Sequence, residues 1–269
     1  MNTIISKISV VLTVATLIAF TTSAQKLPKT QETSLSLPSN AQADGKTIEW
    51  NNKFEFYNTS TNVMGVVANN KENFYLAIRA TDALTVKKII SGGITLTICT
   101  TGQRNDPNPF KITFPVIPLK YQGGINISLN ELNAKRVVNL NKDSLASIVN
   151  TKLSAVEKEI KVSGFKIITD SLISIYNDLG IKTTTLIDDS NALTYELMIP
   201  LKLLGLADKK GATIAYNVML NGASSINTVV AGTASVANVP RSLTTNGEND
   251  FHILGFAADF WATYKLSDK

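Results

Sequence analysis

From Trp50 onward the chain repeatedly alternates apolar and polar positions with a period of two. Phe74, Leu76 and Ile78 fall on one side of such a run, with Tyr75, Ala77 and Arg79 on the other. Ile94, Leu96 and Ile98 alternate with Thr95, Thr97 and Cys99. Phe110, Ile112, Phe114 and Val116 alternate with Lys111, Thr113 and Pro115. The pattern returns with Leu193, Tyr195, Leu197 and Ile199, with Ile214, Tyr216, Val218 and Leu220, and with Phe260, Ala262, Tyr264 and Leu266. Successive strand side chains point to opposite faces, so each of these segments buries one face and wets the other. Antiparallel sheets packed face to face have that habit. The predicted fold class is all-β: a two-sheet antiparallel β-sandwich, jelly-roll-like.

The middle of the chain breaks the rhythm. Asp143 to Lys161 sets Leu145, Ile148, Val149, Leu153, Val156 and Ile160 at helical spacing without Gly or Pro, and Asp143 is placed to cap the first turn. Ser171 to Leu179 reads as a second, shorter helix, with Asp170 before it as a cap and Gly180 after it as a stop. Gly164 to Ile168 between them reads as a strand. These segments predict a helical insertion over about residues 143–180 in a single domain spanning 43–269. Residues 25–42, rich in Ser, Thr, Pro and Gln and without hydrophobic period, read as a flexible lead-in.

Before that lead-in, Lys7 precedes an apolar run from Ile8 to Phe20, and Thr22-Ser23-Ala24 offers small residues at an exit. A positive start, a short apolar core and a small-residue exit predict a secretory signal peptide over 1–24. The run is short and Thr-rich for a membrane span, which needs roughly 20 apolar residues. The expected product is exported, periplasmic or extracellular, with no transmembrane segment after cleavage. Cys99 is the sole cysteine, so an internal disulfide is excluded and stability must come from the core. It alternates with an aliphatic face and reads as a half-buried, inert thiol.

Charge narrows the partners. The chain carries 26 basic against 21 acidic residues, scattered apart from pairs such as Lys87-Lys88 and Lys209-Lys210. Lys and Arg are not interleaved with aromatics in a stripe, so nucleic acid is not an expected partner.

Candidate chemistry is thin. Gly222-Ala223-Ser224-Ser225-Ile226 approaches a nucleophile elbow but lacks its second glycine. One His and one Cys cannot build a usual tetrahedral zinc centre. Asp188, Asp189, Glu248 and Asp250 are the carboxylates a glycan-active hydrolase would draw on. Asn105-Asp106 and Asp188-Asp189 supply oxygen donors of the kind structural calcium takes, without a recognisable loop pattern. The expectation is no catalytic constellation, no metal site and no cofactor beyond such calcium.

Three segments carry a family likeness: Ala43-Asp44-Gly45-Lys46-Thr47-Ile48-Glu49-Trp50, the region Asn69 to Asp82, and Tyr195 to Leu206. Together they resemble the β-sandwich domains related to the family nine carbohydrate-binding modules of secreted bacterial proteins, which share a fold with the wider DOMON group. The likeness runs over Ala43 to Pro115 and Gly164 to Leu206. It implies that Asp44, Gly45 and Trp50 form a structural motif, with Trp50 in or near the core. It implies further a non-catalytic module whose exposed aromatic rings stack on sugars. A matching pair of tryptophans for the family's double-aromatic clamp is not visible, since Trp50 and Trp261 are the only two.

Trp261 alternates with Phe260 and Tyr264 and so is predicted to face away from them, either to stack on a ligand or to cover the helical insertion. Asn246, Glu248, Asp250 and His252 lie in a polar loop suited to sugar hydroxyls. With Trp261 they make up the candidate ligand site. The sequence therefore supports a carbohydrate-binding-like module of unspecified glycan ligand. A structural or protein-interaction module of the cell envelope is the first alternative, and a glycan-active hydrolase the second.

Overall fold

The computed structural model describes residues 26–133, 142–223 and 253–267. In chain order the elements are β1 (Phe56–Asn58), β2 (Val63–Asn69), β3 (Asn73–Ala80), α1 (Ala83–Gly92), β4 (Ile94–Cys99) and β5 (Phe110–Phe114). Then come α2 (Leu119–Asn133), α3 (Lys142–Val156), β6 (Glu159–Ser163), β7 (Leu172–Ser174), β8 (Lys182–Ile187), β9 (Leu193–Pro200), β10 (Thr213–Leu220) and β11 (Ala258–Lys265). They build two antiparallel sheets, one ordered β1-β2-β3-β9-β8 and the other β11-β10-β4-β5-β6-β7. The all-β sandwich follows, with helices confined to connections.

Register explains the core. Leu76 pairs with Leu197 and Ile78 with Tyr195 in the five-stranded sheet, while Tyr216 pairs with Ile98 and Leu96 with Ile112 in the other. Paired residues share a face, so these apolar rows meet between the sheets and form one cluster with Val86, Ile89 and Ile90 of α1. α1 starts where the Asp82 carboxylate accepts from the Thr85 backbone N–H at 2.9 Å. Cys99 is fully buried, and burial raises its thiol pKa, which fits an inert side chain.

Several local expectations are corrected. The helix expected over Asp143 to Lys161 ends at Val156, and Glu159–Ser163 forms β6, whose Ile160 and Val162 point inward while Glu159, Lys161 and Ser163 stay exposed. Period two wins over period 3.6 there because Ile160 completes the pairing with Ile173. The strand expected at Gly164 to Ile168 is instead a connection after β6. The helix expected at Ser171 to Leu179 is instead β7 followed by turns; its cap-like Asp170 and Gly180 flank an edge strand.

The lead-in is not a free tether from residue 26 onward. The Gln31 side chain is buried, donating to the Val67 carbonyl and accepting from the Val67 N–H, both at 2.7 Å. It thereby mimics a neighbouring strand. The Leu37 N–H donates to the Asn69 carbonyl at 2.8 Å, and Leu37 is buried. Leu35, Leu37 and Ala41 lie with Val66, Ala68, Tyr75, Ala77 and Met198 in a second apolar cluster on the outer face of the five-stranded sheet. Around Val66, Ala68, Tyr75, Ala77 and Met198 that sheet is covered on both faces, so over most of β3 the alternation separates two cores rather than core from water.

Candidate functional site

The Asp-Gly motif is anchored by a residue from the far half of the chain. Glu196 projects from β9 to the outer face, where Oε2 accepts from the backbone N–H groups of Asp44 at 2.8 Å and Gly45 at 2.6 Å. Its Oε1 accepts from the Tyr75 hydroxyl at 2.5 Å. Asp44 Oδ1 in turn accepts from the Lys46 N–H at 2.9 Å, which closes the turn. Burial raises the Glu196 carboxyl to about 7 against the lowering effect of Tyr75 and Gly45, and Glu49 and Asp44 nearby push it the same way as burial. Glu49 is raised by its own burial.

Trp50 lies at the margin of the second apolar cluster. It is half-buried against the second cluster, 5.7 Å from the Tyr75 ring between centroids, not in the core between the sheets. Its indole Nε1 is buried near Tyr75 without closing a hydrogen bond. Trp50→Ala should therefore cost about 2 kcal/mol, less than deleting a fully enclosed aromatic. Urea unfolding checks this, and a loss beyond about 4 kcal/mol would mean that the ring supports more than its own contacts.

Trp261 does point away from the core. Phe260, Ala262 and Tyr264 join the cluster between the sheets, whereas Trp261 sits half-buried on the outer face of β11, an edge strand. Opposite it lies Asn217, then Thr97, Lys111 and Ser163 on the next strands, so five outward side chains form one row. The Asn217 amide donates to Asp259 at 2.6 Å and to the Phe260 carbonyl at 3.0 Å, which fixes its orientation beside the ring. Arg104, from the connection after β4, places its guanidinium carbon 5.8 Å from the Trp261 ring centroid. An aromatic edge, an amide, a carboxylate and a guanidinium thus share one patch. Sequence alone missed Arg104, Asn217 and Asp259. Alternation along β10 and β11 marks the outward positions of Asn217 and Asp259, while Arg104 has no such signal.

Asn246, Glu248, Asp250 and His252 lie outside the described residues. Of the carboxylates considered for hydrolysis, Asp188 is ion-paired to Arg79 and bonded to the Ser190 hydroxyl at 2.6 Å, which ties the loop between β8 and β9. Asp189 is exposed. The Asp106 carboxylate accepts from the Asn108 N–H at 2.9 Å and the Thr101 hydroxyl at 3.1 Å within its own loop. Among the described residues no group of three or more His, Cys, Asp or Glu side chains converges to hold a metal ion, and no helix is long and apolar enough to cross a membrane. No family model, no curated protein and no solved structure matches this chain.

Proposed function

We propose that this protein is a non-catalytic, exported carbohydrate-binding-like module, akin to the sandwich domains related to family nine carbohydrate-binding modules. The observation that carries the reading is Trp261, turned outward on an edge strand with Asn217, Asp259 and Arg104 around it. A flat indole offers apolar area to a sugar ring at little entropy cost, while amide, carboxylate and guanidinium groups suit hydroxyls. Arg104 over one ring face would shift to donate to a bound sugar. Export rests on the leader-like residues 1–24, and mass spectrometry of secreted material should find a chain starting near Gln25.

A glycan array should return hits of micromolar to millimolar affinity, about 4–8 kcal/mol of binding. Trp261→Ala should abolish them while the variant stays folded, with a loss of stability no larger than the roughly 2 kcal/mol expected for the other half-buried tryptophan. A blank array across plant, algal and bacterial glycans would sink this reading in favour of an envelope interaction module. The observation that favours the latter is β7, an edge strand with exposed Leu172 and a neighbouring exposed Tyr176.

A further inference from the structure

Lys111 stands in the outward row that begins at Trp261, and it also opens onto a different feature. At one end of the sandwich a cleft of about 820 Å³ lies between the β4–β5 connection, the connection after β6 and the short 3-10 turn Leu201–Leu204 with the residues following it. Lys111, Lys166, Lys202 and Lys209 line it, with Asp106 as the one acidic side chain among the described residues. The Asp106 carboxylate is engaged by Thr101 and Asn108, and these hydrogen bonds hold its pKa below the ordinary value. None of the four lysines closes an ion pair with a described carboxylate.

The walls are held in place. The Phe110 and Phe165 rings pack 5.0 Å apart between centroids, joining the start of β5 to the connection after β6. Gly164, at φ +85°, lies so close to Pro109 that an added Cβ would stand 2.3 Å from its carbonyl oxygen. Ile167 is 69 % exposed and adds an apolar surface beside neutral donors and acceptors from Thr100, Asn108 and Ser163. The concavity falls within the range for ligand sites, roughly 300–1,000 Å³.

We propose that this cleft binds an acidic oligosaccharide, one bearing carboxylate or sulfate groups, as an extension of the sugar-binding role. The proposal rests on the glycan reading. Four ammonium groups around a preformed concavity complement an anionic chain, and Lys acts there as a point charge tolerant of carboxylate or sulfate geometry. Hydroxyl and amide side chains between them suit sugar hydroxyls. A concave site fits an extended strand better than a bilayer surface. Along the shared row, Lys111 lies three strands from Trp261, about 14 Å at ordinary strand spacing, so one chain can touch both.

The test is calorimetry on the full secreted chain with hexasaccharides of galacturonate, of its methyl ester and of sulfated galactose. Anionic phospholipid vesicles are run alongside. The acidic sugars, or one of them, should bind. The ester should bind about tenfold more weakly, and binding should fade at about 1 M salt, where screening acts over about 3 Å. Lys166→Gln/Lys202→Gln/Lys209→Gln should weaken binding about tenfold at an unchanged melting temperature. Trp261→Ala tests the sheet-face site separately. Acidic sugars that still bind this variant uphold the cleft even if that face is inactive. Equal binding of ester and acid, indifference to the triple substitution, loss on Trp261→Ala alone, capture of vesicles without sugar, or no binding at all would each overturn the proposal.

Discussion

Raising the pH from about 5 to about 8 should lower the unfolding midpoint, because two buried carboxyls hold their protons in the folded state. Burial raises Glu157 to about 7, and its Oε1 accepts from the Thr185 hydroxyl at 2.5 Å. Glu196 is likewise raised to about 7. An unfolded chain loses these protons near the ordinary glutamate value of about 4.3. Between that value and about 7 the folded state binds more protons than the unfolded one, so stability is full below the window and falls as pH rises through it. Each group then contributes a loss of about 3 kcal/mol, or about 6–12 °C in the midpoint for a chain of this size. That is a large share of an ordinary stability of about 5–15 kcal/mol. Glu157→Gln and Glu196→Gln should each flatten the profile and melt above the parent at pH 8. A parent midpoint that is level or rising across this window would falsify the assignment of buried, protonated carboxyls.

Gly45→Ala should cost about 3 kcal/mol. The residue has φ +85°, a left-handed conformation that strains an L side chain by about 1–2 kcal/mol. The new Cβ would also stand 2.3 Å from Leu186 Cβ, and overpacking of that kind costs about 1–3 kcal/mol. The backbone has little freedom to retreat, since the Gly45 N–H donates to Glu196 and the turn is closed by Asp44. Urea titration would show the midpoint shift at an unchanged slope. A loss within about 0.5 kcal/mol, the range of ordinary surface changes, would mean that the turn relaxes and does not lock the outer face.

The strands most legible in the sequence were those with a clear period of two: Ile94–Cys99, Phe110–Phe114, Leu193–Pro200, Thr213–Leu220 and Ala258–Lys265. α1 stayed hidden because it is short and follows a strand directly, though Asp82 announces its cap. α2 contains Gly123 and Gly124, which read as a turn pair; open space around both leaves no packing signal. Residues 26–42 looked unstructured because their burial comes from single side chains laid over a sheet, Gln31 and Leu37 above all, and such contact has no period. For the candidate site, alternation alone told which way Trp261 faces. The Arg104 guanidinium above it comes from a loop, and loop geometry leaves no trace in hydrophobic spacing. The carboxylate in Tyr195-Glu196-Leu197 stands out in an apolar strand, but that it grips Asp44 and Gly45 is a matter of tertiary placement.

The segment laid over the five-stranded sheet also touches the far end of the chain. The Ser34 hydroxyl donates to the Lys265 carbonyl at 2.6 Å, the Tyr264 hydroxyl meets both backbone groups of Leu35, and Ser36 contacts Ser267. Ser34, Leu35 and Ser36 therefore have an incomplete seat until β11 exists. Contacts separated by more than 200 residues must close before the outer face is complete, and such non-local contacts slow folding. Until they close, the apolar patch around Val66, Tyr75 and Met198 is open to contact with other chains.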